Sequence, residues 1–351
     1  MTSDKPSLTK PSLAKRRAVG VSPGELITAA PLHPEHSLPL VLRPSVPGVH
    51  LQAAVEKRRE QLAAQLARHG ALLFRDFAVK TVAEFEQLIT AAAGGVLEYS
   101  DQTSPRHKVS GNIYTSTDYP ETQTIFLHNE NSYAYTWPMK LFFFCVTPAA
   151  QGGETPLADT RQVLARVEPQ VRERFEEKGW MLVRNFGRGV GLSWETVFQT
   201  DDRAEVDAYC RAAGIETEWQ ANGCLRTRQV RRAVVRHPHT GEQVWFNHAA
   251  FFHISTLAPE LRAALLAQFR EDELPYNTYY GDGSPIEESV AESVREAYRQ
   301  ATVAFPWQAG DVLLLDNMLA AHGRNPFAGP RKVVVGMADP VSVADVERGA
   351  V

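Results

Sequence analysis

A short apolar segment at residues 125–127 runs directly into His128-Asn129-Glu130. Alternate residues of an extended chain project to the same side, so the imidazole of His128 and the carboxylate of Glu130 leave the strand end together. Two neighbouring side chains of these types can ligate one metal ion. The fold must then bring a third ligand to this strand end from elsewhere in the chain.

His322 is the candidate for that third ligand. It lies just past a predicted strand that ends at Asp316, beside a short loop at residues 323–326. Two imidazoles and one carboxylate on one face of an ion leave three positions open, which is the arrangement of iron(II) oxygenases. A bidentate 2-oxo acid takes two of these positions and dioxygen takes the third, and the metal supplies the reactivity toward an unactivated C–H bond. We therefore predict that His128, Glu130 and His322 hold the metal and form the catalytic centre.

The other histidines provide an alternative. A His-x-Glu sequence alone occurs in many chains, and a single histidine is more often a surface residue or a satisfied core residue. A rival group consists of His237, His239, His248 and His253. His237 and His239 could form a metal site beside a turn. The pattern is more typical of two histidines in a loop, because Glu242 is the only carboxylate at a spacing suited to a metal ligand.

Periodicity predicts strands both early and late in the chain, with helices gathered at the front and in the middle. The predicted strands are at residues 71–75, 125–127, 140–146, 310–316 and 331–337, with a hairpin over 226–246 that turns at Thr240-Gly241. The predicted helices are at residues 51–68, 85–93, 160–178 and 256–272, and residues 194–224 mix helix and loop.

This layout predicts a mostly β chain with flanking helices, an α+β protein in which helices brace a distorted double-sheet barrel. Residues 1–40 are rich in Pro, Ser, Lys and Ala without an apolar period, which predicts a flexible N-terminal tail. We expect residues 41–351 to form a single domain, with a helical and loop insertion around residues 160–300.

Composition excludes several classes of protein. The chain has 351 residues, of which 44% are hydrophobic and 22% charged, as in soluble globular proteins. A formal net charge of −4 argues against nucleic-acid binding, and no apolar run approaches the ~18 residues of a membrane span. The three cysteines, Cys145, Cys210 and Cys224, have no paired spacing, which favours a reducing compartment. We expect a cytoplasmic protein.

Three ordered motifs carry a resemblance to a known family. They are Leu127-His128-Asn129-Glu130, Gly152-Gly153-Glu154-Thr155-Pro156-Leu157-Ala158-Asp159, and His322-Gly323-Arg324-Asn325-Pro326-Phe327 with Arg331. Together they resemble the TauD/TfdA family of 2-oxoglutarate dioxygenases, and more narrowly its SyrP-like branch from natural-product pathways. The members of that branch hydroxylate amino acids or aminoacyl groups on carrier proteins. The resemblance covers roughly residues 40–340.

The resemblance implies a double-stranded β-helix, or jelly-roll, core and the cofactors iron(II), 2-oxoglutarate and dioxygen. It also implies that Arg331 pairs with the far carboxylate of 2-oxoglutarate, since a planar guanidinium gives a bidentate, charge-assisted grip. Thr155 would add a hydroxyl donor to the same carboxylate. The alternative for Arg331 is a surface arginine beside Lys332.

Two departures from the family pattern bear on these roles. Glu130 stands where the commoner triad has Asp, but the clavaminate synthase-like branch also uses Glu. Arg331 follows His322 by nine positions, closer than in many relatives. Halogenating relatives lose the carboxylate to make room for chloride, so Glu130 favours hydroxylation over halogenation.

Substrate contacts are predicted from position alone. Arg324 could pair with a substrate carboxylate, or bridge to Asp316 or a loop carbonyl. Asn247 could bind a substrate or buried backbone, and Asn112, Tyr114 and Ser116, on the approach to His128, are weaker candidates. A basic run consists of Arg226, Arg228, Arg231, Arg232 and Arg236. Such a run is usually a solvated hairpin face, and the alternative is a docking site for an acidic peptidyl carrier protein.

The leading hypothesis is an oxygenase that hydroxylates an amino-acid-like small molecule, free or carrier-bound. The same cofactor chemistry could instead give desaturation, epoxidation or cyclisation. A jelly-roll zinc hydrolase is a rival metal protein. A non-catalytic jelly-roll that binds a metal or ligand is the rival from another class.

Overall fold

A computed structural model of the protein describes residues 26–97, 107–116, 119–220 and 223–348. The helices in these ranges are α1 (Leu51–Lys57), α2 (Arg59–His69), α3 (Val82–Ala93), α4 (Thr160–Arg166), α5 (Pro169–Lys178), α6 (Trp194–Phe198), α7 (Arg203–Ala212), α8 (Pro259–Gln268), α9 (Glu288–Gln300) and α10 (Val343–Arg348). The strands are β1 (Ile27–Pro31), β2 (Leu40–Pro44), β3 (Ala71–Phe74), β4 (Lys108–Ser110), β5 (Ile113–Thr115), β6 (Ile125–His128), β7 (Thr136–Thr147), β8 (Gln151–Gly152), β9 (Leu157–Asp159), β10 (Trp180–Phe186), β11 (Ile215–Trp219), β12 (Leu225–Arg231), β13 (Val234–Arg236), β14 (Gln243–Trp245), β15 (Tyr276–Tyr280), β16 (Thr302–Val303), β17 (Val312–Asp316), β18 (Ala320–Arg324), β19 (Phe327–Ala328) and β20 (Lys332–Ser342).

The largest sheet has the strand order β1-β2-β3-β17-β7-β20-β5-β4. Its central strands β7, β17 and β20 are continuous apolar runs because both faces of the sheet are covered. Phe142 packs toward helices α1 to α3, whereas Phe143 points to the opposite face. The sheet thus separates a helix-covered outer side from an inner side that faces the predicted site.

Local sequence signals explain how the covering helices begin and end. The side chain of Thr81 accepts a hydrogen bond from the Glu84 backbone, and the Glu84 carboxylate binds the Thr81 backbone, so α3 begins with a capping box. Helix α2 ends at Gly70, which adopts a left-handed conformation with φ of 73°. These signals place the helices close to the predicted bounds.

A second, four-stranded sheet closes over the inner face in the order β16-β9-β18-β6. Strand β18 pairs antiparallel with both β9 and β6. Two sheets packed face to face with helices on the outer side give the mixed α+β architecture that the sequence predicts. The fold-class prediction is confirmed.

A third sheet lies within residues 160–300, the range of the predicted insertion, and has the order β11-β12-β10-β15. Its strand β10 packs with helices α4, α5 and α9 in one apolar cluster, which Trp180, Leu182 and Tyr298 share with Leu127 of β6. The insertion is therefore continuous with the core beside the predicted metal ligands.

Several features differ from the sequence predictions, and the helix predicted over 51–68 is divided at Arg58. The hairpin predicted over 226–246 is wrong in its first half: β12 pairs with β10 and β11, and only β13 and β14 form the hairpin. Pro169 starts a new helix and divides the one predicted over 160–178. Strand β1 pairs with β2, so the predicted tail is too long at its C-terminal end, while residues 1–25 lie outside the described residues.

Across the described ranges, none of the helices combines the length and apolar character that crossing a bilayer requires.

Candidate metal centre

Strand pairing brings the predicted metal ligands together. His322 on β18 stands directly opposite His128 on β6 in the antiparallel register, with the ring centroids 4.5 Å apart. The Nε2 atom of His322 lies 4.0 Å from a carboxylate oxygen of Glu130. One potential ligand atom from each of the three residues lies within 4.8 Å of the others. That spacing fits three ligands on one face of a single ion.

Burial and hydrogen bonding prepare these side chains for a cation. Glu130 and His322 are each 5% exposed, so the carboxylate and the imidazole are both largely shielded from solvent. A buried carboxylate is costly unless it is paired or coordinates a metal. His128 Nδ1 lies 2.9 Å from the Phe126 carbonyl oxygen, which fixes Nδ1 as the protonated nitrogen and leaves Nε2 for coordination. The donor set and its surroundings therefore fit a divalent metal such as iron(II).

Asn317 clamps the segment that carries Glu130. Its Oδ1 accepts the Glu130 backbone N–H at 2.8 Å, and its Nδ2 donates to the Glu130 carbonyl at 2.8 Å. Asn129 donates back to the Asn317 carbonyl at 2.6 Å. Asn317 is fully buried in the turn between β17 and β18, so one side chain couples both ligand-bearing segments. We did not predict this role, because an Asn in a turn has no distinguishing signal.

His248 lies next to the centre but has a different environment. Its ring centroid is 5.8 Å from that of His128, and its Nδ1 shares a 2.6 Å hydrogen bond with the Ser132 hydroxyl. Burial lowers the pKa of His248 well below its usual value, and the neighbouring His128 lowers it further. The imidazole is therefore neutral, and it packs beside the predicted metal ligands.

The remaining histidines of the rival group do not gather around one point. His237 accepts backbone N–H groups at Nδ1 and donates through Nε2 to Asp316 at 3.0 Å. The Nε2 atom of His253 lies 3.1 Å from the Ile286 carbonyl oxygen, and His239 is exposed. In the described part of the chain, the single group of His, Cys, Asp and Glu residues with metal-ligand geometry is the one at His128.

A small cavity adjoins the two histidine ligands on the inner face of the large sheet. It is lined by Ser116, Ile125, His128, Phe143, Thr155, His322, Gly323, Arg324, Arg331, Val333 and Val335. Its volume of about 30 Å³ is that of one or two water molecules.

Arg331 supplies the positive charge of this cavity just before β20. Its Nε donates to the Gly153 carbonyl at 2.9 Å and its Nη1 donates to the Ser116 hydroxyl at 3.2 Å. Burial lowers the pKa of Arg331 to about 10, and the charge of Arg324 contributes to the same shift. The guanidinium is still cationic at neutral pH, so it can bind an anion in this cavity.

Arg324 and the two predicted asparagines bind backbone atoms. Arg324 lines the cavity, but its guanidinium donates to the carbonyls of Tyr119, Pro120 and Gln123, the loop-carbonyl alternative of the sequence analysis. Asn247 holds the Ala233 carbonyl and the Ala249 backbone N–H. Asn112 donates to the Val96 carbonyl at 3.2 Å. These contacts give each side chain a structural role.

The basic run divides into paired and exposed arginines. Arg226 binds Asn185 and Asp272, and Arg228 forms a 2.9 Å ion pair with Glu218. Arg231 donates to the Ala213 carbonyl, and burial lowers its pKa. Arg232 and Arg236 are exposed.

Comparison with known proteins places this geometry in context. Residues 30–337 match the family model described as taurine catabolism dioxygenase TauD, TfdA family. The chain is 42% identical over 276 residues to the dapdiamide synthesis protein DdaC of Enterobacter agglomerans, covering 79% of this chain and 84% of that protein.

Two solved structures share the fold. The structure of PvcB, described as an Fe, alpha-ketoglutarate dependent oxygenase from an isonitrile synthetic pathway, aligns with a TM-score of 0.54 at 17% identity, covering 96% of this chain and 98% of that one. A taurine dioxygenase from Burkholderia xenovorans aligns with a TM-score of 0.52 at 18% identity, covering 91% and 94% of the two chains.

Proposed function

The chain belongs to the TauD/TfdA dioxygenase family, and on that premise we propose that it hydroxylates an unactivated C–H bond of an amino acid or of a carrier-bound aminoacyl group. It is an oxygenase that depends on iron(II) and 2-oxoglutarate. The observation that carries the proposal is the meeting of His128, Glu130 and His322 within 4.8 Å. The similarity to a dapdiamide synthesis protein supports a place in natural-product biosynthesis.

The three ligand residues would hold the iron on one face and leave the opposite face for cosubstrate and dioxygen. Bound iron(II) with 2-oxoglutarate supplies the oxidising power for C–H cleavage. The protein orients the ligands through the Asn317 clamp and the His128–Phe126 hydrogen bond. Phe143, whose ring is 5.2 Å from that of His322, would limit the access of water to the centre.

Arg331 and Thr155 would bind the far carboxylate of 2-oxoglutarate. Both line the cavity beside His128 and His322, and Thr155 is 3% exposed. A buried guanidinium with a neighbouring hydroxyl suits a carboxylate, because both donate hydrogen bonds to its oxygens. In this role Arg331 releases the Gly153 carbonyl or Ser116 and turns toward the anion.

Glu130 favours hydroxylation over halogenation, because its carboxylate fills the ligand position that chloride takes in halogenating relatives. Desaturation, epoxidation and cyclisation use the same centre and differ in where the substrate sits. The product therefore has to be identified for each substrate that is turned over.

Anaerobic addition of iron(II) and 2-oxoglutarate to the apoprotein tests the cofactor assignment. We expect a weak visible charge-transfer band in the wild type and its loss in His322→Ala. Arg331→Gln should give the band only at higher 2-oxoglutarate concentrations. A zinc hydrolase or a non-catalytic barrel would give no band in any of these proteins. Mass spectrometry of free and carrier-loaded amino acids, incubated with enzyme, iron, 2-oxoglutarate and air, then identifies the product.

A carrier protein is the macromolecular partner that this proposal allows. The exposed Arg232 and Arg236 could attract an acidic carrier by electrostatic steering, whereas Arg226 and Arg228 are already paired with acidic groups. The variants Arg232→Glu and Arg236→Glu should weaken turnover of a carrier-bound substrate and spare a free amino acid. Equal turnover of both by these variants would remove the carrier from the proposal. We also propose a cytoplasmic location and a single domain, which includes β1 and therefore begins before residue 41.

A further inference from the structure

A pocket of about 710 Å³ lies between helix α10 and the last turns of helices α5 and α7. Lys178 ends α5, Ala212 ends α7, and Val343 and Val346 belong to α10; all four line the pocket. Sites for small molecules usually have volumes of roughly 300–1,000 Å³. The pocket is therefore large enough for a small organic molecule.

One wall of this pocket is aromatic and apolar. Trp137 and Phe246 both line it, are buried, and have ring centroids 5.1 Å apart. They belong to an apolar cluster that also contains Val346. Val230, which lines the pocket from strand β12, is 48% exposed. An apolar part of a ligand would cover these surfaces favourably.

Arg231, the last residue of β12, gives the pocket a half-buried positive charge. Its Nη1 donates to the Val230 carbonyl at 3.0 Å and its Nη2 donates to the Ala213 carbonyl at 2.8 Å. Within the described ranges, its Nε is buried without an acceptor, and no carboxylate forms an ion pair with it. Burial lowers the pKa of Arg231, and the groups that partly offset this shift are the phenols of Tyr209 and Tyr135. An anion would supply the counter-ion that this guanidinium lacks.

The other charged side chains of the pocket leave the charge of Arg231 uncompensated. Lys178 is paired with Asp282 at 2.6 Å, and Glu176 is paired with Arg172 at 2.9 Å. The remaining charged lining residues are all exposed, namely Glu177, Arg211, Arg232 and Glu347. Because these exposed charges balance in sign, the half-buried guanidinium determines which ligand charge the pocket favours.

The pocket is separate from the predicted metal centre. Ser132 lines it and shares a 2.6 Å hydrogen bond with His248, whose ring centroid is 5.8 Å from that of His128. His248 is 3% exposed, and none of the three predicted metal ligands lines the pocket. A molecule bound at Arg231 is therefore a second ligand and not the substrate that is oxidised at the metal.

We propose that this pocket is a second binding site, for an organic anion with an apolar body. Arg231 pairs with the anionic group, and the apolar body packs on Trp137 and Phe246. A carboxylate and a phosphate both suit a guanidinium, because either accepts charge-assisted hydrogen bonds from it. An inorganic anion would leave the aromatic wall uncovered and should bind more weakly. The site goes beyond the proposed function and does not depend on it.

Fluorescence titration tests the site with two probes of one shape, anilinonaphthalene sulfonate and the uncharged phenylnaphthylamine. The full-length protein is saturated with Mn(II) and N-oxalylglycine, an unreactive analogue of 2-oxoglutarate, so that the metal centre is occupied. Arg231→Gln should weaken binding of the sulfonate roughly tenfold and change binding of the uncharged probe by less than about twofold. Arg231→Lys should retain part of the affinity for the sulfonate, because it keeps the charge. Circular dichroism checks that both variants fold.

Arg228→Gln is the matched control, because Arg228 lies on the same strand but pairs with Glu218 and does not line the pocket. This variant should bind both probes as the wild type does. Arg211→Glu reverses an exposed charge of the pocket and should weaken sulfonate binding several-fold at low salt, with a smaller effect at high salt.

Competition identifies the anionic group. Phenylpropionate and phenyl phosphate represent the carboxylate and the phosphate, and the one that displaces the sulfonate at the lower concentration identifies the preferred group. Phenylpropanamide, which has no charge, should displace it far less than phenylpropionate does. The site is overturned if the wild type does not bind the sulfonate, or if its affinity is the same in Arg231→Gln and Arg211→Glu as in the wild type. Equal displacement by the acid and its amide would also overturn it.

Discussion

Trp307 donates its indole N–H to the hydroxyl oxygen of Thr155 over 3.1 Å. The indole nitrogen can only donate, so the Thr155 oxygen must accept and its own proton is directed to another partner. Thr155 lines the cavity that we assign to 2-oxoglutarate, which makes that proton available to the carboxylate. If Thr155 binds the cosubstrate as proposed, we expect Trp307 to position its hydroxyl.

A buried ion pair holds the loop that carries Trp307. Arg75 donates to both carboxylate oxygens of Asp311, at 3.0 and 2.6 Å, and also to the Pro306 carbonyl at 2.9 Å. The Asp311 carboxylate accepts the Gln308 backbone N–H as well. These bonds surround Trp307 in sequence and fix the position of its indole.

Replacing Trp307 by Phe should weaken 2-oxoglutarate binding. The ring remains while the N–H is lost, so the Thr155 hydroxyl can rotate away from the carboxylate. We expect the KM for 2-oxoglutarate to rise several-fold, corresponding to about 1 kcal/mol, with a smaller change in kcat. Steady-state kinetics over a range of 2-oxoglutarate concentrations measures this split.

Trp245→Phe provides the control for the loss of an indole. Trp245 is fully buried, and its Nε1 lacks a hydrogen-bond partner among the described residues. This variant should lower stability without raising the KM for 2-oxoglutarate. In a double-mutant cycle, Trp307→Phe should have little further effect once Thr155 is Val. Additive effects of the two changes would contradict the positioning role.

Replacing Asn317 by Ala should weaken metal binding as well as folding. The change leaves the Glu130 backbone N–H and carbonyl without their buried partner, and each such group costs about 1–3 kcal/mol. Loss of an outer-shell partner typically reduces metal affinity ~10- to 100-fold. Titration with Mn(II) and chemical denaturation of the apoprotein measure the two effects separately.

Asn247→Ala is the corresponding control, since Asn247 is a buried amide that bonds the backbone groups of Ala233 and Ala249. It should lower the free energy of unfolding and leave the Mn(II) affinity within about twofold. If Asn317→Ala showed the same pattern, Asn317 would be a folding residue with no part in positioning Glu130.

The predictable part of the site depends on local signals. An apolar strand that ends in His128-Asn129-Glu130 can be recognised without knowledge of distant contacts, and the motif around His322 was recognised by resemblance. Asn317 and Trp307 have no such signal, because their roles depend on partners about 150 to 190 positions away in sequence. Tertiary structure alone brings those partners together.

The fold likewise has parts that local sequence signals predict and parts that depend on distant contacts. Helix α3 and strand β7 could be predicted, since a capping box and a long apolar run are local features. The hairpin over 226–246 was predicted wrongly because alternation in β12 fits any sheet with one buried face. Its pairing with β10 is a contact between separate segments. Arg324 also illustrates this limit, since its position beside His322 favoured a substrate contact as much as the loop carbonyls that it binds.

The buried thiol of Cys145 should be inert in the folded protein. Burial raises its pKa to about 12, and the Asp311 carboxylate contributes, so the reactive thiolate is scarce at pH 8. Cys210 and Cys224 are also buried. We expect negligible labelling by a thiol-specific disulfide reagent at pH 8 until a denaturant is added, when all three cysteines react. Rapid labelling of native protein would show that strand β7 opens.

Gly153 should resist substitution because of the contact it makes with Arg331. It has a φ of 73°, and a Cβ there would lie 3.0 Å from both Cδ and Nε of Arg331. Gly153→Ala should therefore displace the guanidinium and raise the KM for 2-oxoglutarate, roughly tenfold if one charge-assisted hydrogen bond is lost. Gly241 has the same φ of 73° with open space around it, so Gly241→Ala carries the backbone strain without the contact. Because the strain is common to both, a KM that rises equally in the two variants would mean that backbone conformation, and not the position of Arg331, determines cosubstrate affinity.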